Sequence, residues 1–265
     1  MSAPYLELRG AGSPLVMLHG WGLNVRVWDA LVTALEAHHR LITVDLPGHG
    51  HSPWRADCAT AHAQVDWIAQ AVAARIGGAS YALLGWSLGG QLALQWAAYP
   101  PAGLERPTRL ALIAATPRFT AAPDWPHGTP EARLLSLTEG LRHDYRRTVS
   151  EFLELQVRGS AAGEAVLEHL RGALFAHGEA APEALQADLE LLRTTDLRAA
   201  LGRIGTPALV LAGQYDRVVP PGAARALGAA MPHARVAEIR RAAHAPFLSH
   251  TARLAALLAD FLAST

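Results

Sequence analysis

The chain has 265 residues, 51% hydrophobic and 17% charged, which suits one or two compact domains and excludes disordered and collagen-like chains. Its 23 basic residues, all arginine, balance 23 acidic ones, so no global field draws it to nucleic acid or to an acidic membrane. The single cysteine, Cys58, leaves no intramolecular disulfide and no Cys/His cluster for zinc, which fits a reducing cytoplasm.

The residues from Met1 to Glu7 carry neither a basic flank nor an apolar run of signal-peptide length. No later stretch approaches the roughly 18 apolar residues of a membrane span. A soluble, unprocessed, monomeric and cytoplasmic protein with no membrane contact is therefore expected.

Strands are predicted at 15–19, 40–45, 81–86, 109–115, 207–213 and 234–240. Several are near-continuous runs of Val, Ile, Leu and Ala, as in parallel strands buried on both faces. Helical patterns fall between them at 27–37, 60–76, 88–99 and 221–231, and a last one covers 251–262. Strand and helix alternate, which predicts an α/β domain with a mainly parallel sheet. From 118 to 193 no strand is predicted, only helical periodicity punctuated by prolines. That stretch reads as a helical lid, 118–193, inserted between a first core part, 1–117, and a second, 194–265.

Chemistry enters with Gly85-Trp86-Ser87-Leu88-Gly89-Gly90, directly after the strand at 81–86 and directly before a helix. A serine on a tight strand-to-helix turn needs small neighbours, and the turn lifts its hydroxyl into the open at the carboxyl edge of the sheet. The following helix offers backbone N–H groups where a negative oxygen would form. Ser87 is thus a candidate nucleophile, a plain tight turn being the alternative. His19-Gly20-Trp21-Gly22 follows the strand at 15–19. Acyl transfer needs two donors aimed at the developing oxyanion, and the N–H groups of Leu88 and Trp21 occupy the two required places. His19, ending a buried strand, is read as a loop-holding residue rather than a proton carrier.

The remaining members should follow in the order acid, then histidine, each at the end of a late strand. Asp216 comes after the strand at 207–213, and His244 after the one at 234–240. A solvated turn aspartate and a capping histidine are the competing readings of these two. His49-Gly50-His51 lacks a third ligand at metal-binding spacing, and no metal or other cofactor is expected. Cys58 has no His/Asn context of its own and reads as a bystander thiol.

In the insertion, a helix predicted from about 141 to 158 places Leu141, Tyr145, Val149, Phe152 and Gln156 on one stripe. That stripe either lines an acyl channel or packs the insertion onto the core. Arg142, Arg146, Arg147 and Arg158 fall off it, towards solvent.

With these residues in hand, the chain resembles the α/β-hydrolase superfamily over nearly its whole length. Within it the chain is most similar to the methyl ester esterases that act on pimeloyl-[acyl-carrier protein] in biotin biosynthesis. The resemblance rests on Leu18-His19-Gly20-Trp21-Gly22-Leu23-Asn24, Val44-Asp45-Leu46-Pro47-Gly48, Leu84-Gly85-Trp86-Ser87-Leu88-Gly89-Gly90, Arg147-Thr148-Val149 with Phe152-Leu153 and Leu155-Gln156, Thr195-Asp196-Leu197-Arg198 and Ala242-Ala243-His244-Ala245-Pro246-Phe247. It implies a serine carboxylesterase with Ser87, Asp216 and His244 as triad, releasing methanol and the free carboxylate. It also implies that Trp21, Leu88, Phe152, Leu153, Glu154, Leu155 and Gln156 contact the substrate. Of the arginines such esterases present to an acidic carrier protein, only Arg147 is matched, with Glu151, Glu164 and Glu168 where others would stand. Arg142, Arg146 and Arg158 are further candidates for the docking rim. A broad short-chain carboxylesterase without a carrier is the second reading, and a non-catalytic ligand-binding protein on the same fold the third.

Overall fold

The computed structural model describes residues 2–160 and 162–264. In chain order it runs β1 (Leu6–Arg9), β2 (Ser13–Leu18), α1 (Asp29–Leu35), β3 (His39–Val44), α2 (Ala61–Ile76), β4 (Ala82–Trp86), α3 (Leu88–Ala98) and β5 (Arg109–Ile113). Four helices follow, α4 (Glu131–His143), α5 (Tyr145–Val157), α6 (Gly163–Ala176) and α7 (Pro182–Thr194). The chain then returns through β6 (Ala208–Gly213), α8 (Pro221–Ala230), β7 (Ala234–Ile239), α9 (Pro246–Ser249) and α10 (Thr251–Ala263).

The strands form one seven-stranded sheet in the order β1-β3-β2-β4-β5-β6-β7, parallel throughout except for the β1–β3 edge. Every residue of β4 and β6 is buried, as expected of strands covered on both faces. α3 packs on β2, β4 and β5, α8 on β6 and β7, and α1 on α10. From β2 the chain steps to β3 on one side and later to β4 on the other. This reversal opens a crevice at the carboxyl ends of β2 and β4, where ligands of open α/β sheets bind. Register sharpens the point: Leu18 lies opposite Gly85, so the loop after β2 and the turn after β4 emerge side by side.

β1 was not anticipated from the sequence. It is only four residues long, half exposed, and pairs antiparallel with β3 through Leu6 opposite Val44. The helix expected over 141–158 is two helices. Asp144 takes an extended φ of −152° between α4 and α5, and its carboxylate accepts the Arg147 N–H at 3.1 Å, capping α5. Among the described residues, no helix is long and apolar enough to cross a membrane.

Candidate active site

Ser87 links β4 to α3 with φ 56° and ψ −116°, a left-handed backbone that side-chain-bearing residues seldom adopt. Such a turn costs about 1–3 kcal/mol and persists only where its surroundings hold it. Here they do. The Ser87 N–H donates to the Ile113 carbonyl at 3.0 Å. A Cβ on Gly85 would lie 2.2 Å from the Gly89 carbonyl oxygen, and one on Gly89 would lie 2.2 Å from that of Leu18. The two glycines are therefore required by close backbone contact on either side of the serine.

The loops after β6 and β7 bring Asp216 and His244 to this turn. The Ser87 hydroxyl lies 2.9 Å from His244 Nε2, and His244 Nδ1 lies 2.8 Å from Asp216 Oδ2. With Nδ1–H donating to the carboxylate, Nε2 is left as the acceptor facing the serine. The other carboxylate oxygen, Oδ1, accepts the N–H groups of Val218 at 2.8 Å and Val219 at 2.9 Å. All three side chains are buried, with relative exposures of 4% for Ser87, 5% for Asp216 and 1% for His244. The backbone of His244 is fixed too, its N–H donating to the Gln156 carbonyl and its own carbonyl accepting from Trp86 Nε1.

Gly20 is so close to the turn that a Cβ there would sit 3.3 Å from Ser87 Cβ. The N–H groups of Trp21 and Leu88 donate to no other group among the described residues, which leaves both free beside Ser87. Two buried histidines hold this loop. His19 accepts the Leu46 N–H at Nε2 (3.0 Å) and faces the Gly20 carbonyl with Nδ1 (2.8 Å). His49 accepts the Gly22 N–H at Nε2 (3.1 Å) and faces the Pro47 carbonyl with Nδ1. Burial lowers the pKa of both, that of His49 to about 4, so both rings stay neutral and keep one acceptor nitrogen. The structural use of His49 was not readable from its Gly/Pro-rich surroundings. Among the described residues no group of three His, Cys, Asp or Glu is arranged to hold a metal ion. Burial pushes the Cys58 thiol up, away from the reactive thiolate.

Ser87 opens into a narrow cavity walled by Trp21, Phe119, Phe152, Leu155, Leu189 and Leu192 among others. A larger open groove lies beside α2 around Arg55, Cys58 and Trp67, but shares no residue with it and holds no paired nucleophile and base. Phe152 meets Trp21 edge to face at 4.9 Å, and Trp21 Nε1 donates to the Leu185 carbonyl on α7 at 3.0 Å. The expected stripe divides. Of its members, Phe152 faces the Ser87 cavity, joined there by Leu155 from off the stripe, whereas Tyr145 and Val149 line a separate crevice together with Leu153 and with Leu174 and Phe175 of α6. Glu154 faces outward, paired with Arg171 at 3.0 Å. Gln156 is buried and meets His244 through its backbone, while its side-chain Oε1 has no partner among the described residues.

Three of the four arginines expected at a docking rim lie against glutamates. Arg142 pairs with Glu139 (3.7 Å), Arg146 with Glu179 (3.4 Å) and Arg147 with Glu151 (2.8 Å). Arg158 is exposed and forms no ion pair among the described residues. Asp45 and Asp188 are buried carboxyls besides Asp216, and the environment of Asp188, on α7, was not anticipated. Asp188 accepts from Gln64 Nε2 of α2 at 2.6 Å, and burial raises its pKa to about 7.

The model of the alpha/beta hydrolase family matches residues 15–257. The chain belongs to the alpha/beta hydrolase family. Within that family this hydrolase is 43% identical over 260 residues to the pimeloyl-[acyl-carrier protein] methyl ester esterase of Xanthomonas oryzae pv. oryzae, covering 98% of this chain and 99% of that one. It is 41% identical over 249 residues to the protein of the same name from Nitrosomonas europaea, covering 94% and 95%. Among solved structures, an esterase from Exiguobacterium antarcticum superposes with a TM-score of 0.89 over 100% of both chains at 24% identity, a likeness of fold.

Proposed function

We propose that this hydrolase removes the methyl group from pimeloyl-[acyl-carrier protein] methyl ester, giving methanol and the carrier-linked carboxylate for biotin biosynthesis. The enzyme is a carboxylic-ester hydrolase, and the relatives that share its full length carry that substrate in their names. One observation carries the chemistry: a buried serine hydroxyl 2.9 Å from a histidine that a carboxylate orients, at the floor of an apolar cavity.

In this reading Ser87 Oγ attacks the ester carbonyl carbon as His244 Nε2 takes its proton. Asp216 keeps the imidazole in the Nδ1–H tautomer and stabilises the imidazolium. The carbonyl oxygen becomes an oxyanion facing the N–H groups of Leu88 and Trp21, a type of contact worth about 3–4 kcal/mol in the transition state. Collapse expels methoxide, which leaves as methanol with the proton from His244. Water then attacks the acyl-enzyme with His244 again as base, and Ser87 is restored. The helices α4 to α7 act as the lid, and Phe152 and Leu155 line the path of the methylene chain. A monomeric cytoplasmic enzyme with no resident cofactor suffices for these steps.

Complementation of a biotin-requiring strain that lacks its own esterase tests the physiological ester: growth without biotin is expected, and failure of a stably expressed protein overturns the assignment. The glutamates against Arg142, Arg146 and Arg147 favour one second reading, a carrier-independent short-chain carboxylesterase. Comparing 4-nitrophenyl esters with the carrier-linked methyl ester separates the two.

A further inference from the structure

The Ser87 cavity is apolar except at two places. Of the polar groups on its wall, Trp21 Nε1 is used by the Leu185 carbonyl and the Thr129 hydroxyl donates to the Val218 carbonyl at 2.9 Å. What remains is the Ser87 hydroxyl and the guanidinium of Arg133, which comes from the first turn of α4. Arg133 is exposed while lining the cavity, which puts it at the mouth.

Its charge is not compensated. Arg133 forms no ion pair among the described residues, and Glu131, two residues earlier, is engaged by Arg193 at 2.8 Å. Asp216, on the loop that Arg133 reaches, is committed to His244 and to the N–H groups of Val218 and Val219. One Arg133 contact holds the head group in place: Nη1 donates to the Arg217 carbonyl at 3.0 Å. A guanidinium has five N–H donors in a planar fork, so anchoring one leaves the others for a ligand. Apolar walls between a nucleophile and an unpaired cation describe a ligand with an ester at one end, methylenes in the middle and an acceptor at the other.

We infer that Arg133 is a specificity-determining residue that binds the distal carbonyl or carboxylate of a dicarboxylic chain whose near end is the methyl ester at Ser87. The inference rests on the esterase reading above and extends it to the far end of the acyl chain. On a carrier-linked substrate Arg133 donates to the thioester carbonyl; on a free half-ester it pairs with a carboxylate, the stronger charge-assisted contact. The enzyme then also hydrolyses free half-esters of dicarboxylic acids, and discriminates them from monoesters of equal length.

The test compares kcat/KM for monomethyl pimelate and for methyl heptanoate, which has no distal acid, in the wild type, Arg133→Gln and Arg217→Gln. In Arg133→Gln the ratio of half-ester to monoester should fall about tenfold, through KM, with methyl heptanoate nearly unchanged. Arg217 offers Arg133 only its carbonyl, so Arg217→Gln should keep the wild-type ratio. Equal losses on both esters in Arg133→Gln, no loss on either, or an equal fall in ratio in Arg217→Gln would each overturn the subsite. A wild type inactive on both esters would overturn the esterase reading as well, because methyl heptanoate needs Ser87 but not Arg133.

Discussion

His49 Nε2 accepts the N–H of Gly22 at 3.1 Å, across 27 residues of chain, and so fixes the loop that carries Trp21 beside Ser87. Because the imidazole is buried and its pKa lies near 4, it stays a neutral acceptor at any pH where an esterase is normally assayed.

Replacing that acceptor should loosen the loop without removing the nucleophile. His49→Ala is expected to lower kcat about tenfold and leave KM nearly unchanged, since the Trp21 N–H matters most when the oxyanion forms. Steady-state kinetics on one soluble ester decide it, with His49→Gln restoring part of the rate. A rise in KM at constant kcat would move His49 from positioning the loop to shaping the pocket.

Asp188 makes stability depend on pH. Its folded-state pKa, about 7, stands above the ordinary aspartate value because burial disfavours the anion. Between the ordinary value and about 7 the folded chain holds a proton that the unfolded chain has lost, so this group's contribution weakens as pH rises through that window. Asp188→Asn, which still offers Gln64 an acceptor, should therefore raise the melting temperature relative to wild type at pH 8 and change it little at pH 4. Thermal melts of both proteins at the two pH values measure this; an equal shift at both would mean that Asp188 does not titrate in the window.

Phe152 touches Trp21 and faces the cavity, so it should matter in proportion to the chain it covers. Each buried methylene is worth roughly 0.8 kcal/mol, up to about fourfold in affinity. Phe152→Ala should raise KM more for hexanoate and octanoate esters than for acetate. Equal effects at all lengths would mean that Phe152 only packs the lid.

Arg147 and Glu151 are both exposed and joined at 2.8 Å, an arrangement that masks a cation rather than adding much stability. If an acidic carrier meets this face, Glu151→Gln should increase kcat/KM on the carrier-linked ester at low salt and leave a free short ester unaffected. A parallel change on both substrates would show that the substitution alters the lid instead of docking.

The parallel strands were legible because burial on both faces writes them as unbroken apolar runs, as in β4 and β6. β1 was not, since a half-exposed edge strand of four residues, Leu-Glu-Leu-Arg, has too little pattern to separate from loop. The break between α4 and α5 was hidden by a stripe that continues across it; only the Asp144 cap marks it, with no Gly or Pro at that residue. Ser87, Asp216 and His244 could be placed because each follows a recognisable strand. The partners of His49 and Asp188 could not. Gln64 and Asp188 meet across 124 residues, and only the packing of α7 on the core creates their environment. Glu154 and Leu153 show the same limit: two residues beside Phe152 point away from the cavity because a helix turns about 100° per residue.

The most direct measurement is hydrolysis of pimeloyl-[acyl-carrier protein] methyl ester by Ser87→Ala beside the wild type, with circular dichroism and melting to show that both are folded. The wild type should release methanol, and the folded variant should lose about 10³-fold or more of the rate. A folded Ser87→Ala protein that still cleaves the ester near the wild-type rate would contradict the assignment of Ser87 as nucleophile.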